Sequence, residues 1–388
     1  MRSFLSSPFR PAIAGMISMA VAMGIGRFVY TPLLPGMMEA LGQSAGDAGL
    51  IASANYAGYL IGALLAGGGW GEGRERAVGL WSLAASAILV ALMAAFNQLA
   101  PFLVLRFLAG IASAFVMIFV SSLVFTRLMA AGRDDLQALH FSGVGLGIAA
   151  SAIMTGLLHV EDAAWQAGWI WAGILSLAGL CAVWLLLDRG APRTGIAAPE
   201  PPLALTPPFL KLVAGYGLFG FGYIVTATFL VAIVRQGTGG PLLEAWVWLA
   251  TGLAILPSIW LWGLLVRRRG LRVAFAAGCV VEIVGVLASV LVPGIAGPLI
   301  GGVLLGGTFV AVTAFGLQAG RRLASLSPRR ALALMTASFG TGQILGPIAA
   351  GFVADRTGDF VLASLLAAVA LLVAAGLVLS SRRGAGTD

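Results

Sequence analysis

Long apolar runs separated by short polar gaps set the pattern of this chain. A helix rises about 1.5 Å per residue, so about 20 apolar residues cross the hydrocarbon core of a bilayer. Twelve segments reach that length, near residues 11–38, 46–69, 77–97, 99–127, 138–158, 164–187, 211–234, 245–266, 272–292, 296–319, 331–353 and 360–381. The pattern predicts an all-α integral membrane protein with twelve transmembrane helices. Segments three and four lie close together, as do nine and ten, so eleven or thirteen spans also fit the apolar pattern alone. The longest polar gap covers residues 188–209 and holds Pro192, Pro199, Pro201, Pro202, Pro207 and Pro208. It reads as a proline-stiffened linker. The expected organisation is an N-terminal six-helix bundle over 1–187, a linker over 188–210 and a C-terminal six-helix bundle over 211–388.

The halves repeat each other. Gly24-Ile25-Gly26-Arg27-Phe28-Val29 matches Gly220-Phe221-Gly222-Tyr223-Ile224-Val225 at an offset of 196. Arg76-Ala77-Val78 matches Arg272-Val273-Ala274 loosely at the same offset, and Ile148-Ala149-Ala150 recurs as Ile348-Ala349-Ala350 at an offset of 200. Near-constant spacing around a central linker predicts a duplicated six-span unit, giving two pseudo-symmetric bundles. Such repeats place a binding site near the midplane between the halves, reached alternately from either side.

Composition agrees with this reading. Apolar residues make up 60% of the chain and charged residues 10%, against roughly 25% charged in a soluble domain. Mean hydropathy is +0.99. The net charge of +8 does not point to nucleic acid, because nearly all the charges sit in short gaps between apolar runs. Of 23 Lys and Arg residues, Arg27 and Arg106 lie inside spans and Arg235 and Arg356 fall on one side, leaving 19 on the other. Cytoplasmic loops are the ones enriched in Lys and Arg. Both termini are therefore expected in the cytoplasm, and an odd number of spans would scramble the bias. Cys181 and Cys279 fall inside apolar runs and read as buried thiols outside any disulfide framework. The N-terminal apolar stretch is longer than a signal peptide's and reads as an uncleaved first span.

Polar residues at membrane depth are few. Arg27 lies within the first span, where a charge costs about 2.5–3.5 kcal/mol on insertion scales unless it faces a wet cavity or a partner. It reads either as a substrate-contacting or gating group, or as an arginine bonded to backbone carbonyls that locks two helices. Helical spacing places Gly24, Tyr30 and Thr31 on its face, and Pro32 and Pro35 can kink the outer end of the span. Arg106 either snorkels to headgroups or lines the cavity. Glu282 is the acid clearly inside a span. It suits a proton carrier, a neutral hydrogen-bonded group or half of an ion pair. Tyr216, Gly220, Tyr223 and Ala227 form a stripe on span seven with Thr226 beside it, open to ligand contact or to aromatic packing. Asn55 and Tyr59 stand one turn apart in span two, and Gln318 and Gln343 lie in spans ten and eleven. His140 begins span five, either as a proton shuttle or as an interface residue. Trp165, Trp169, Trp171, Trp246 and Trp248 read as aromatic-belt positions.

The glycine-rich runs at 143–147 and 340–346 lack the strand-then-helix context of a nucleotide loop and suit close helix packing. No Walker lysine, zinc-binding or Ser/His/Asp arrangement occurs. The chain reads as a non-enzyme without cofactor or metal.

Twelve spans in two repeated halves resemble the major facilitator superfamily. Gly263-Leu264-Leu265-Val266-Arg267-Arg268-Arg269-Gly270-Leu271-Arg272 resembles that superfamily's loop between spans eight and nine, without its Asp. Gly69 to Arg76 is a degenerate counterpart in the first half. Arg106 to Gly110 matches the span-four Arg-x-x-x-Gly motif, and the resemblance implies a cavity-facing Arg106 that assists proton coupling. More narrowly, Gly24 to Pro35, Phe141 to Gly147 and Tyr216 to Ile224 resemble the YbfB/YjiJ-type branch. The resemblance implies a cavity lined by spans one, four, seven and ten, where Arg27, Arg106 and Tyr223 fall. Glu282 falls on span nine, which is usually peripheral.

The expected function is secondary transport by alternating access in the bacterial cytoplasmic (inner) membrane. Two cavity arginines favour a small organic anion held by charge-assisted bonds, with proton coupling. The expected substrate contacts are Arg27, Tyr30, Asn55, Arg106, Tyr216, Tyr223 and Thr226, and the expected proton carriers are Glu282 and His140. The expected partners are a small-molecule substrate, protons and the lipid bilayer, with no nucleic acid, and the chain is expected as a monomer. The rivals are a proton-driven exporter of drugs or lipophilic metabolites, and a transport-dead sensor or scaffold.

Overall fold

A computed structural model describes residues 8–187, 200–237 and 239–381. Twelve helices are long and apolar enough to cross a membrane. They are α1 (Phe9–Leu41), α2 (Ala45–Ala66), α3 (Glu75–Ala95), α4 (Leu99–Ala130), α5 (Asp134–Val160), α6 (Trp165–Leu186), α7 (Pro207–Gln236), α8 (Gly240–Arg269), α9 (Leu271–Leu291), α10 (Ala296–Leu323), α11 (Pro328–Thr357) and α12 (Val361–Ser380). Each corresponds to one expected segment, and no strand occurs among the described residues.

Two of the helices are interrupted. In α1 a π-helical turn, Ala20–Ile25, leads into a non-helical stretch over 26–29 before the helix resumes at Tyr30. The resumed segment carries Pro32 in its first turn, and proline has no N–H to continue the ladder. In α4 a π-helical turn spans Val116–Val120.

Packing repeats in the two halves. In the first, α1 lies on α5, α2 on α4 and α3 on α6; in the second, α7 lies on α11, α8 on α10 and α9 on α12. Glycine permits backbone contact at the crossings. A Cβ on Gly110 of α4 would stand 2.1 Å from the Asn55 carbonyl oxygen, and one on Gly306 of α10 would stand 2.1 Å from that of Thr251. Both residues of this second pair lie 196 positions after those of the first.

The halves meet along three seams, α2 with α11, α5 with α8, and the second segment of α1 with α7. A Cβ on Gly49 would stand 2.2 Å from the Pro347 carbonyl, and one on Gly145 would stand 2.5 Å from that of Gly252. Polar ties between the halves gather at the end that carries Arg235. Asp355, at the end of α11, accepts hydrogen bonds from the Ala45 and Gly46 N–H groups at 2.8 and 2.9 Å. Its charge faces the positive end of the α2 dipole. Arg235 of α7 binds Glu244 of α8 through two nitrogens and Glu39 of α1 at 2.8 Å. His159 of α5 lies 4.0 Å from Glu244. Thr31 donates to the Ala227 carbonyl at 2.7 Å.

At the arginine-rich end, Glu200 accepts from the Arg329 and Arg330 N–H groups at 3.0 and 3.2 Å and caps α11. Ser327 donates to the Pro201 carbonyl at 2.9 Å. Residues 188–199 of the expected linker lie outside the described residues.

Two expectations are corrected. Cys279 is buried but Cys181 is exposed, because a helix facing lipid shows apolar and thiol side chains alike to the membrane. Trp169 and Trp248 are buried rather than interfacial. Trp248 reaches across the α5–α8 seam to donate to the Ser151 hydroxyl at 3.2 Å, and the Trp169 indole meets the Met37 sulfur.

Candidate functional site

The break in α1 frees two carbonyl groups at membrane depth, where no water is at hand to satisfy them. Arg106 of α4 does so. Its Nη1 donates to the Gly26 carbonyl and its Nη2 to the Arg27 carbonyl, both at 2.8 Å. The guanidinium lies 5.3 Å from the Tyr30 ring centroid and is buried. Arg106 therefore neither snorkels to a headgroup nor presents its terminal nitrogens to a cavity. It clamps the break. Asn55 supports the clamp by donating from Nδ2 to the Arg106 carbonyl at 2.9 Å, and keeps its own Oδ1 without a partner.

The break also redistributes the face expected around Arg27. In a continuous helix Gly24, Tyr30 and Thr31 would lie beside it. Instead Gly24 packs on Gly147 of α5, the Tyr30 hydroxyl donates to the Ala48 carbonyl at 3.1 Å, and Thr31 points to α7.

Arg27 turns towards α2. Its Cζ lies 4.6 Å from the ring centroids of both Tyr56 and Tyr59. Such contacts contribute about 0.5–1 kcal/mol when exposed and about 2 when desolvated. The side chain is 3% exposed. Nε and Nη2 have no hydrogen-bond partner, and among the described residues no carboxylate pairs with it. These two nitrogens form the side edge of the guanidinium, whose parallel N–H groups match the two oxygens of a carboxylate. A buried unmade hydrogen bond costs about 1–3 kcal/mol, so an anion on that edge would recover free energy that the protein alone does not.

Aromatic rings continue from Arg27 into the other half. Phe28 meets Phe309 of α10 at 5.7 Å, edge to face. Phe309 stacks nearly parallel on Tyr223 at 5.5 Å, and Tyr223 faces Phe339 of α11 at 5.7 Å. Tyr216 stacks on Phe339 at 4.7 Å and donates to the Thr313 carbonyl at 3.0 Å. Gln343 donates from Nε2 to the Tyr223 hydroxyl, while its Oε1 and the Thr226 hydroxyl remain buried without partners.

Of the expected proton carriers, Glu282 lies near Tyr223 and His140 lies apart from Arg27. Glu282 of α9 is buried against Thr308 of α10. Thr308 donates to the Leu304 carbonyl at 2.7 Å, and both Glu282 oxygens lack a partner. Thr308 precedes Phe309, so the residue that meets the carboxyl is next in the chain to one that forms the aromatic wall. His140 is buried rather than interfacial. Its Nε2 pairs with the Ser121 hydroxyl at 2.9 Å, and Phe125 and Phe141 each lie 5.0 Å from its ring. A Cβ on Gly15 would stand 2.2 Å from its Nδ1. Gly15 lies about three turns of helix before Arg27, so His140 belongs to the α1–α4–α5 packing and not to the Arg27 site. Gln318 is exposed.

Residues 19–379 match the family described as "Uncharacterised MFS-type transporter YbfB". The chain belongs to this MFS-type transporter family. It is a multi-pass membrane protein and a secondary transporter, not an enzyme. A search of curated proteins finds no significant match. Among solved structures, this MFS-type transporter is similar to a point mutant of the nucleoside transporter NupG, at a TM-score of 0.75 and 14% identity over 96% of this chain and 100% of that one. It is similar also to a bacterial homologue of the human lysosomal transporter Spinster in an inward-facing and occupied conformation, at a TM-score of 0.72 and 14% identity over 97% of each chain. At such identities the likeness is one of fold.

Sequence reasoning missed Tyr56, Phe309 and Phe339 as parts of the chamber. One signal was present. The chain has 5 tyrosines, and all of them, Tyr30, Tyr56, Tyr59, Tyr216 and Tyr223, lie at or beside this site. Membrane tyrosines ordinarily gather at the two interfaces, so five held at mid-span mark an interior built for contact.

Proposed function

We propose that this transporter carries a small organic anion by alternating access, with Arg27 as the anion-binding residue. The observation that supports it is the buried side edge of Arg27, two N–H groups without a partner and no carboxylate beside them. The guanidinium lies against the rings of both Tyr56 and Tyr59. Asn55, Tyr223 and Thr226 are assigned as further substrate contacts, and Tyr216 packs behind them on Phe339. Arg106 and Tyr30 act through the backbone of α1, which they hold in place. A cationic substrate would face an unneutralised arginine, which disfavours an exporter of lipophilic cations.

The Arg-rich loops belong in the cytoplasm by the positive-inside bias, placing both termini there and the chain in a bacterial inner membrane. The Arg235 network then ties the two halves together on the outer side. Proton coupling is assigned to Glu282, a buried carboxyl with no basic partner among the described residues.

The test is thermal stability of the purified protein against carboxylates, sugars, amino acids and lipophilic cations, with Arg27→Gln in parallel. A ligand at a hundredfold excess over its dissociation constant stabilises the folded form by about 2.7 kcal/mol. Carboxylates should raise the midpoint of the wild type and not that of Arg27→Gln. Stabilisation by lipophilic cations in both proteins would overturn the assignment.

A further inference from the structure

The chamber beside Arg27 also limits what the anion carries, an inference that rests on the anion reading above. We infer that the substrate is an aromatic carboxylate with a hydrogen-bond donor on its ring, of the hydroxy- or amino-benzoate class. Three observations lead there.

The first is the wall. From Arg27 the lining runs through Tyr56, Tyr59, Phe28, Phe309, Tyr223 and Phe339, with centroid separations of 5.5 and 5.7 Å along Phe309–Tyr223–Phe339 and interplanar angles of 7° and 11°. Near-parallel rings at that spacing form slabs. A planar ring gains stacking contacts on such a surface, while a saturated chain gains burial alone.

The second is the balance of unmet polar groups. Arg27 leaves two donors open on one edge, enough for one carboxylate. Arg106 Nε is also buried without a partner, but its fork is turned to the α1 backbone; on the side of the aromatic rings the unpartnered atoms are the acceptor-capable Gln343 Oε1 and Thr226 Oγ1, with Asn55 Oδ1 on α2. An unmet acceptor requires a donor from the ligand, so the ligand carries a hydroxyl or amino group besides its carboxylate. A polyhydroxy acid brings more hydroxyls than these groups can pair, and each unpaired one costs binding.

The third is the placing of Gln343. Its Nε2 is already spent on the Tyr223 hydroxyl. That bond uses one end of the amide and leaves the other, placed as Oε1, open on the aromatic wall itself, next to the ring that stacks on Phe309. The donor group is therefore read where the ring lies.

The experiment measures binding of benzoate, 4-hydroxybenzoate, cyclohexanecarboxylate and 4-hydroxycyclohexanecarboxylate to the purified full-length protein, wild type, Arg27→Gln, Gln343→Met and Phe309→Leu. In the wild type, 4-hydroxybenzoate should bind roughly three- to tenfold more tightly than its saturated counterpart and more tightly than benzoate. Gln343→Met should bring the 4-hydroxybenzoate-to-benzoate ratio towards one. Phe309→Leu should lower the aromatic-to-saturated ratio, and gives an independent readout should the glutamine variant fold poorly. Equal binding of aromatic and saturated acids, lost together in Arg27→Gln, would overturn the aromatic inference while leaving the anion reading intact. A hydroxyl preference unchanged in Gln343→Met would overturn the role of that amide and the donor requirement argued from it. Binding of none of the acids, or of all of them equally to wild type and Arg27→Gln, would overturn the anion reading and this inference with it.

Discussion

The two halves keep the same scaffold and divide its chemistry unequally. Glu39 and Arg235, which bond each other, are 196 positions apart, and so are Thr31 and Ala227, which also bond each other. The same offset sets Arg27 against Tyr223, Asn55 against Thr251 and Arg106 against Gly302. The first half thus holds a guanidinium, an amide and a second guanidinium where the second holds a phenol, a hydroxyl and no side chain. Backbone follows side chain. In the first half α1 is broken and Arg106 takes up its freed carbonyls, while in the second α7 runs unbroken over Pro207–Gln236. A helix that satisfies its own carbonyls needs no arginine, and Gly302 instead lets α10 pack on Thr251 and Val247 of α8. Duplication supplies the frame, and the break with its clamp makes one half the polar half of the site.

The widest gap between the halves should open on removing the clamp. Arg106→Leu leaves the Gly26 and Arg27 carbonyls buried without donors, at about 1–3 kcal/mol each. Thermal unfolding in detergent should show a loss on the order of 3 kcal/mol or more. Arg106→Lys should restore part of it, since one ammonium does not reproduce a planar fork. At the matching position of the second half, Gly302→Ala adds a methyl 2.7 Å from the Thr251 hydroxyl and 2.8 Å from the Val247 carbonyl. Overpacking of this kind costs about 1–3 kcal/mol. A smaller effect from Arg106→Leu than from Gly302→Ala would break the comparison.

The next contrast lies at the Arg235 end, where each half contributes the end of one helix to the start of one in the other. Asp355 of α11 binds two N–H groups at the start of α2, whereas His159 of α5 approaches Glu244 of α8 only to 4.0 Å. Charged groups in hydrogen bonds contribute about 1.5–3 kcal/mol, and loose, partly exposed ion pairs about 0–1. Asp355→Asn should lower the melting midpoint clearly and His159→Gln hardly at all. Equal shifts would make the two ties equivalent despite their geometry.

Most of the fold was legible in the sequence, because span length and arginine bias are properties of the chain itself. The offset of 196 was legible for the same reason. The site was legible by residue type and not by role. Arg27 announced itself by its cost at membrane depth, but the clamp did not. Whether Arg106 faces lipid, cavity or another helix depends on where the α1 ladder fails, and helical spacing assumes that it does not fail. The expected face of Gly24, Tyr30 and Thr31 was lost for that reason. Phe309 and Phe339 were hidden among 20 phenylalanines in an apolar chain, where one more ring carries no signal until its partners are known.

The smallest expected effect lies outside the membrane. The start of α11 is capped across the fold, by Glu200 on the Arg329 and Arg330 N–H groups, whereas at the start of α5 Asp135 bonds Arg133 within its own loop. Partial burial tends to raise the Glu200 carboxyl, but the hydrogen bonds from Arg329 and Arg330 outweigh it and hold the group below its ordinary value. A carboxyl depressed in the folded state contributes stability above its unfolded value of about 4.3, and that contribution is lost as pH falls through the folded value. Glu200→Gln should therefore melt slightly below the wild type at neutral pH, and the two melting curves should converge on acidification. Asp135→Asn should show no such tie to the rest of the fold, because its bond closes only two residues of chain. A Glu200→Gln deficit that persists unchanged into acid would mean that shape rather than charge makes this cap, and the asymmetry between the two helix starts would then lie in packing.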